Sequence, residues 1–135
     1  MQVVIDTGPL VAYFNRRDRW HKWVVDQMRN LSGPLLTCEP VLAEACFLIQ
    51  RGGGRPNLLI DKLHQGVLEI GLQLAQEIAP IAALLSRYAD TPMSLPDACI
   101  VRLAEIHSDC KVFTLDSDFQ HYRRNSRHVI PLLTP

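Results

Sequence analysis

A single α/β domain spanning residues 1–135, with a mainly parallel sheet of about five strands flanked by helices, is the fold the sequence predicts. Three observations lead there. Short apolar runs recur along the chain, stretches with helical spacing of apolar residues separate them, and turn-forming dipeptides mark the changes. Strands alternating with helices pair in parallel, because each return of the chain lays a helix on a face of the sheet. A length of 135 residues suits one such domain, whose folding hides about two thirds of the unfolded surface.

The elements follow in order. Residues 3–5 (VVI) form a first strand, stopped at Asp6 by the turn chemistry of TGP. A short helix over about residues 9–14 follows, with proline tolerated in its first turn. The polar stretch NRRDR leads to a helix over residues 20–31, where Trp20, Trp23, Val24, Met28 and Leu31 repeat at helical spacing, and SGP ends it. Residues 35–37 are a second strand. Pro40 opens an apolar helix that the glycines 52–54 terminate. A weaker helix over 55–65, a strand over 67–71 and an amphipathic helix over 74–88 come next. Beyond a loop at 90–93, residues 94–106 are helical, 111–116 are a strand, DSDFQHY is a short turn or helical piece, and 128–133 is a last strand.

Composition narrows the function classes. With 47% hydrophobic and 21% charged residues, the chain reads as an ordinary globular protein, and no apolar run nears the roughly 18 residues of a membrane span. The amino-terminal stretch carries an acid where an export signal has basic residues, so a cytoplasmic location is expected. Cys38, Cys46, Cys99 and Cys110 show no zinc-ligand spacing and read as small buried hydrophobes. The formal charge is zero, yet the basic residues cluster at 15–19, around the triple glycine at Arg51 and Arg55, and at 121–128.

The acids carry the chemistry. In an open parallel sheet, sites form beyond the carboxyl ends of the strands. Asp6 and Asp116 each end a strand, Asp118 lies two residues further on, and Glu44 and Asp97 stand in the first turns of their helices. Simpler roles exist for most of them. Asp6 suits an Asx turn, Asp116 or Asp118 suits a cap, and Ser94 with Asp97 spells a capping box. Glu44 has no such role, because its helix reads as apolar on every side. A buried carboxylate needs a cation, a hydrogen-bond network or a proton. A buried arginine is one answer, and a divalent cation shared by several acids accounts for all five positions. An all-oxygen donor set suits Mg²⁺ or Mn²⁺. Setting those five acids aside leaves an excess of about five positive charges elsewhere, a surface suited to a phosphodiester backbone.

The stretches VVIDTGPLVA at 3–12, LAEA at 42–45, SLPDACIVRLAE at 94–105 and VFTLDSDF at 112–119 resemble, in order and separation, the PIN-domain ribonucleases, in particular the VapC-like toxins of prokaryotic type II toxin–antitoxin pairs. The resemblance covers nearly the whole chain. It implies a PIN-like sheet and assigns Asp6, Glu44, Asp97 and Asp116 as catalytic metal ligands, with Asp118 as a further acid and Thr7 and Thr114 as supporting hydroxyls. Pro96 stands where the family more often has a small residue. The implied reaction is hydrolysis of RNA phosphodiester bonds, with Mg²⁺ or Mn²⁺ activating water and polarising the phosphoryl group. Arg102, Arg17 and Arg123 are candidates for phosphate contact.

The resemblance also implies a homodimer and a small antitoxin partner, with the helix bearing Trp20 and Trp23 as an apolar patch for one of them or as ordinary core. An aspartyl phosphotransferase is disfavoured, because Gly8 stands where its second acid belongs. The glycine run is followed by no P-loop lysine. A non-catalytic relative that binds nucleic acid or protein without cleaving is the alternative reading.

Overall fold

A computed structural model describes residues 1–135. The chain forms β1 (Gln2–Ile5), α1 (Thr7–Tyr13), α2 (His21–Asn30), β2 (Leu35–Thr37), α3 (Glu39–Arg51), α4 (Pro56–His64), β3 (Leu68–Ile70), α5 (Ile78–Arg87), α6 (Leu95–Ile106), β4 (Cys110–Phe113), β5 (Arg123–Arg124), β6 (His128–Val129) and β7 (Leu132–Leu133). Short 3₁₀ turns at Leu74–Gln76 and Ser117–Gln120 complete it. The main sheet has the order β3-β2-β1-β4-β7, and every pair in it is parallel. The expected five-stranded α/β architecture is therefore present.

The first helix starts two residues earlier than expected, at Thr7, and the short strand β5 was not expected; three further differences have a local reason. The strand read over 128–133 is two pieces: His128–Val129 pairs antiparallel with β5, and Leu132–Leu133 joins β4. Pro131 lies between them and cannot donate to a ladder, although its carbonyl accepts from Val112 N at 2.8 Å. The helix read over 74–88 starts at Ile78, after the separate 3₁₀ turn, with Pro80 in its first turn. The strand read over 111–116 stops at Phe113, which frees Thr114 to Asp116 for the site.

Thirty buried apolar residues form one core. Helix α6 supplies its centre, since Ala98, Cys99, Ile100, Val101, Leu103 and Ala104 are all buried. The expectation that α3 is buried on all sides is overturned. Val41, Leu42, Ala45 and Ile49 face inward, while Ala43, Glu44, Phe47, Leu48 and Gln50 are exposed. Apolar residues on the wet face hid the helix's amphipathic character. All four cysteines are free thiols, with Cys38, Cys99 and Cys110 buried and Cys46 partly so. Trp23 packs edge-to-face on Phe113, and Trp20 lies under the Arg19 guanidinium, so both lean on the molecule's own residues. No helix is long and apolar enough to cross a membrane.

Candidate active site

The parallel register of β1 and β4 creates the centre of the site. Ile5 stands opposite Phe113, so Asp6 and Thr114 leave the sheet side by side. Here the chain order of the strands reverses, the position where open α/β sheets open a crevice. The Thr114 hydroxyl donates to Asp6 Oδ2 at 2.9 Å and accepts the Asp116 N–H at 3.0 Å. Asp116 Oδ1 then accepts the Asp118 N–H at 2.9 Å and so starts the 3₁₀ turn. One buried hydroxyl thereby ties two acids into a single chain of bonds.

Helix α6 brings in Asp97 through its cap. Ser94 Oγ accepts the Asp97 N–H and Asp97 Oδ2 accepts the Ser94 N–H, both at 3.2 Å. The same Oδ2 accepts the Tyr122 hydroxyl at 3.2 Å, which leaves Oδ1 without a protein donor. Capping and membership of the site are thus compatible, since each uses a different oxygen. Glu44 comes from α3. It is exposed rather than buried, and none of the molecule's ion pairs involves it. All five sequence-predicted acids, Asp6, Glu44, Asp97, Asp116 and Asp118, line one open cavity of about 400 Å³ with no basic residue in its wall.

Burial and crowding set the charge state. Asp6 is 4% exposed, and its carboxyl is pushed up to about 7, chiefly by burial. The Thr7 backbone and Thr114 hydroxyl oppose that shift, and the charges of Asp97 and Asp116 add to it. Asp97 is also raised, first by burial and then by Asp116, against its bonds to Ser94 and Tyr122. Two acids resisting ionisation in one crevice is the situation a divalent cation relieves.

The donor chemistry fits a hard cation. The walls offer carboxylate oxygens, including free atoms on Asp97 and Asp116, and the buried Thr7 Oγ1 has no hydrogen-bond partner. No three His, Cys, Asp or Glu side chains converge as a ready-made cage. Magnesium does not require one, because it keeps several waters and takes one or two carboxylates together with substrate phosphates. These residues could hold such an ion, which would supply Lewis-acid polarisation and water activation. The chain's own contribution is orientation: Thr114 fixes Asp6, and Ser94 and Tyr122 fix Asp97.

One expected phosphate contact is already paired with acids. Arg102 is committed to Glu77 at 2.9 Å and Glu105 at 3.3 Å. Arg123 directs only Nη1 to the carbonyls of Gln120 and Tyr122, at 2.7 and 3.0 Å, and takes part in no ion pair. Arg17 keeps an unpaired side chain. The sequence reading passed over Tyr122, which is buried and stacks edge-to-face on Phe119 and Tyr88. No local signal marked it, because Tyr122 lies two residues past the 3₁₀ turn and its bond to Asp97 on α6 depends on tertiary packing.

The fold is shared with known proteins. The PIN domain family model matches residues 3–125. Ribonuclease VapC26 of Mycobacterium tuberculosis (strain ATCC 25618 / H37Rv) is 29% identical over 116 residues, covering 84% of this chain and 86% of the relative. The crystal structure of Mycobacterium tuberculosis VapC20, described as a sarcin-ricin loop cleaving toxin, aligns with a TM-score of 0.76 at 19% identity, over 96% of this chain and 100% of that one. At that identity the likeness speaks for the fold. With its family match running over residues 3–125 and taking in all five acids, this chain belongs to the PIN domain family.

Proposed function

We propose that this chain is a metal-dependent endoribonuclease that hydrolyses RNA phosphodiester bonds and acts as the toxin of a toxin–antitoxin pair. One observation carries the reading: five acids from four separate segments meet in one cavity at the carboxyl edge of the sheet. Nothing in the core requires that convergence, and Asp6 sits there at a cost in desolvation. The kinship with Ribonuclease VapC26 supports RNA as the substrate.

In this reading Asp6, Glu44, Asp97 and Asp116 hold Mg²⁺ or Mn²⁺, directly or through water, and Asp118 lies beside them. The carboxylates are not nucleophiles; water would attack phosphorus while the bond from phosphorus to the leaving ribose oxygen breaks, and the oriented acids would set where the cation and phosphate rest. A homodimer and a small antitoxin belong to the same reading, supported by exposed apolar side chains such as Phe47 at 60% and Ile78 at 64%.

The test is cleavage of a panel of labelled structured and single-stranded RNAs by the protein alone. Cleavage that needs Mn²⁺ and is lost with EDTA or with Asp6→Asn is expected. RNA binding without cleavage under all those conditions would favour the non-catalytic scaffold instead.

A further inference from the structure

The basic stretch NRRDR and the triple glycine, far apart in sequence, meet in the fold. Asn15, Arg16 and Arg17, just past α1, and Gly52 to Gly54, just past α3, line a cavity of about 380 Å³ with no carboxylate in its wall. Arg16 and Arg17 are exposed, and neither takes part in any of the molecule's ion pairs. Asn15 Oδ1 accepts the Arg17 N–H at 3.0 Å, which fixes the turn that carries both arginines. The glycines leave room. A Cβ on Gly54 would come within 2.9 Å of Ile49 Cγ2, and Gly53 has φ +86°. Their N–H groups are committed to the carbonyls of Leu48, Gln50 and Ile49, so the charge of this cavity comes from the arginines and not from the backbone.

This cavity adjoins the acidic one, and Leu48 belongs to the wall of both. Along α3, Glu44 in the acidic wall and Gly52 in the basic wall lie about two turns, or about 12 Å, apart. Two neighbouring hollows of opposite character suit a polyanion whose cleaved phosphate needs a cation at one point while its flanking phosphates meet fixed positive charge at another. We propose that the cavity lined by Arg16 and Arg17 is a phosphate subsite for the RNA strand, serving a nucleotide neighbouring the bond cut in the acidic cavity. The inference rests on the ribonuclease reading for its substrate, and its test is arranged so that each can fail alone.

The experiment measures binding of a labelled single-stranded RNA to the protein in EDTA over a range of salt, and cleavage with Mn²⁺. The variants are Arg16→Gln/Arg17→Gln and, as a charge-matched control, Arg29→Gln/Lys62→Gln. The arginine pair variant should bind at least about tenfold more weakly at low salt, with the log–log salt slope shallower by about 1.4 for two lost contacts on a single strand. With Mn²⁺, its KM for a long RNA should rise while kcat on a dinucleotide stays unchanged. Equal losses in the control pair, or an unchanged affinity and slope, would overturn the subsite. So would displacement of the RNA by polyglutamate from wild type as readily as by unlabelled RNA, which would mark the cavity as a seat for an acidic polypeptide. Loss of binding in the arginine variant without cleavage by any form would sink the ribonuclease reading and leave the subsite standing; cleavage unaffected by the arginines would do the reverse.

Discussion

The two sides of the acidic cavity are built differently. On the sheet side, Asp6, Thr114, Asp116 and Asp118 are joined by consecutive hydrogen bonds, and Asp6 is almost wholly buried. On the α3 side, Glu44 is exposed and unpaired. The tied side is set in advance and strained by its own charge, whereas the free side has nothing to lose. The difference teaches that one cavity can hold an acid that the fold bears at a cost beside one that the fold does not notice.

The largest expected effect breaks the tied side. Asp6→Asn should lower kcat by more than the roughly 100-fold that loss of a supporting contact to a metal ligand costs. The same variant should be more stable than wild type in metal-free buffer at neutral pH, measured by urea unfolding. The unfolded carboxyl ionises near 3.8 and the folded one near 7. Between those values the folded state holds the extra proton, so wild-type stability falls as pH rises from about 4 to about 7 and then levels. The loss is at most about 4 kcal/mol, and asparagine removes it. A steep decline that persists in Asp6→Asn would sink this account.

A second prediction follows from proton–metal competition at the same carboxyl. Mn²⁺ should raise the melting temperature clearly at pH 8 and little at pH 5, where Asp6 keeps its proton. An equal rise at both values would place the ion away from Asp6.

Smaller effects sharpen the contrast. Tyr122→Phe removes one of the two donors to Asp97 Oδ2. It should cost about 1 kcal/mol of stability and weaken Mn²⁺ binding about tenfold in calorimetry. The smallest effect on the fold belongs to the free side: Glu44→Gln should change unfolding free energy by no more than about 0.5 kcal/mol while lowering cleavage. A destabilised Glu44→Gln protein would show that the residue has a structural partner after all.

Much of this molecule was legible in its sequence. The strand ending at Asp6, the capping box at Ser94 and the glycine stop after Arg51 are local signals, and local signals survive folding. Exposure of Glu44 was not legible, because hydropathy cannot tell a wet apolar face from a dry one when Ala43, Phe47 and Leu48 surround the acid. Commitment of Arg102 to Glu77 was equally hidden, since it depends on how α5 packs on α6. The joining of Arg16 and Arg17 with the glycine loop also depends on tertiary packing. Pro131 was visible, but which of its two flanks would join the main sheet was set by the register of β4.

The shared use of Asp97 has a consequence for how such a protein decays. On the proposed nuclease reading, a lineage released from cleavage could discard Glu44 at once, since no ion pair in the fold depends on it. Asp97 would outlast the trade it once served, because the first turn of α6 leans on the same carboxylate. A descendant that keeps the aspartate and lacks the glutamate would be the mark of a retired enzyme, not of an active one.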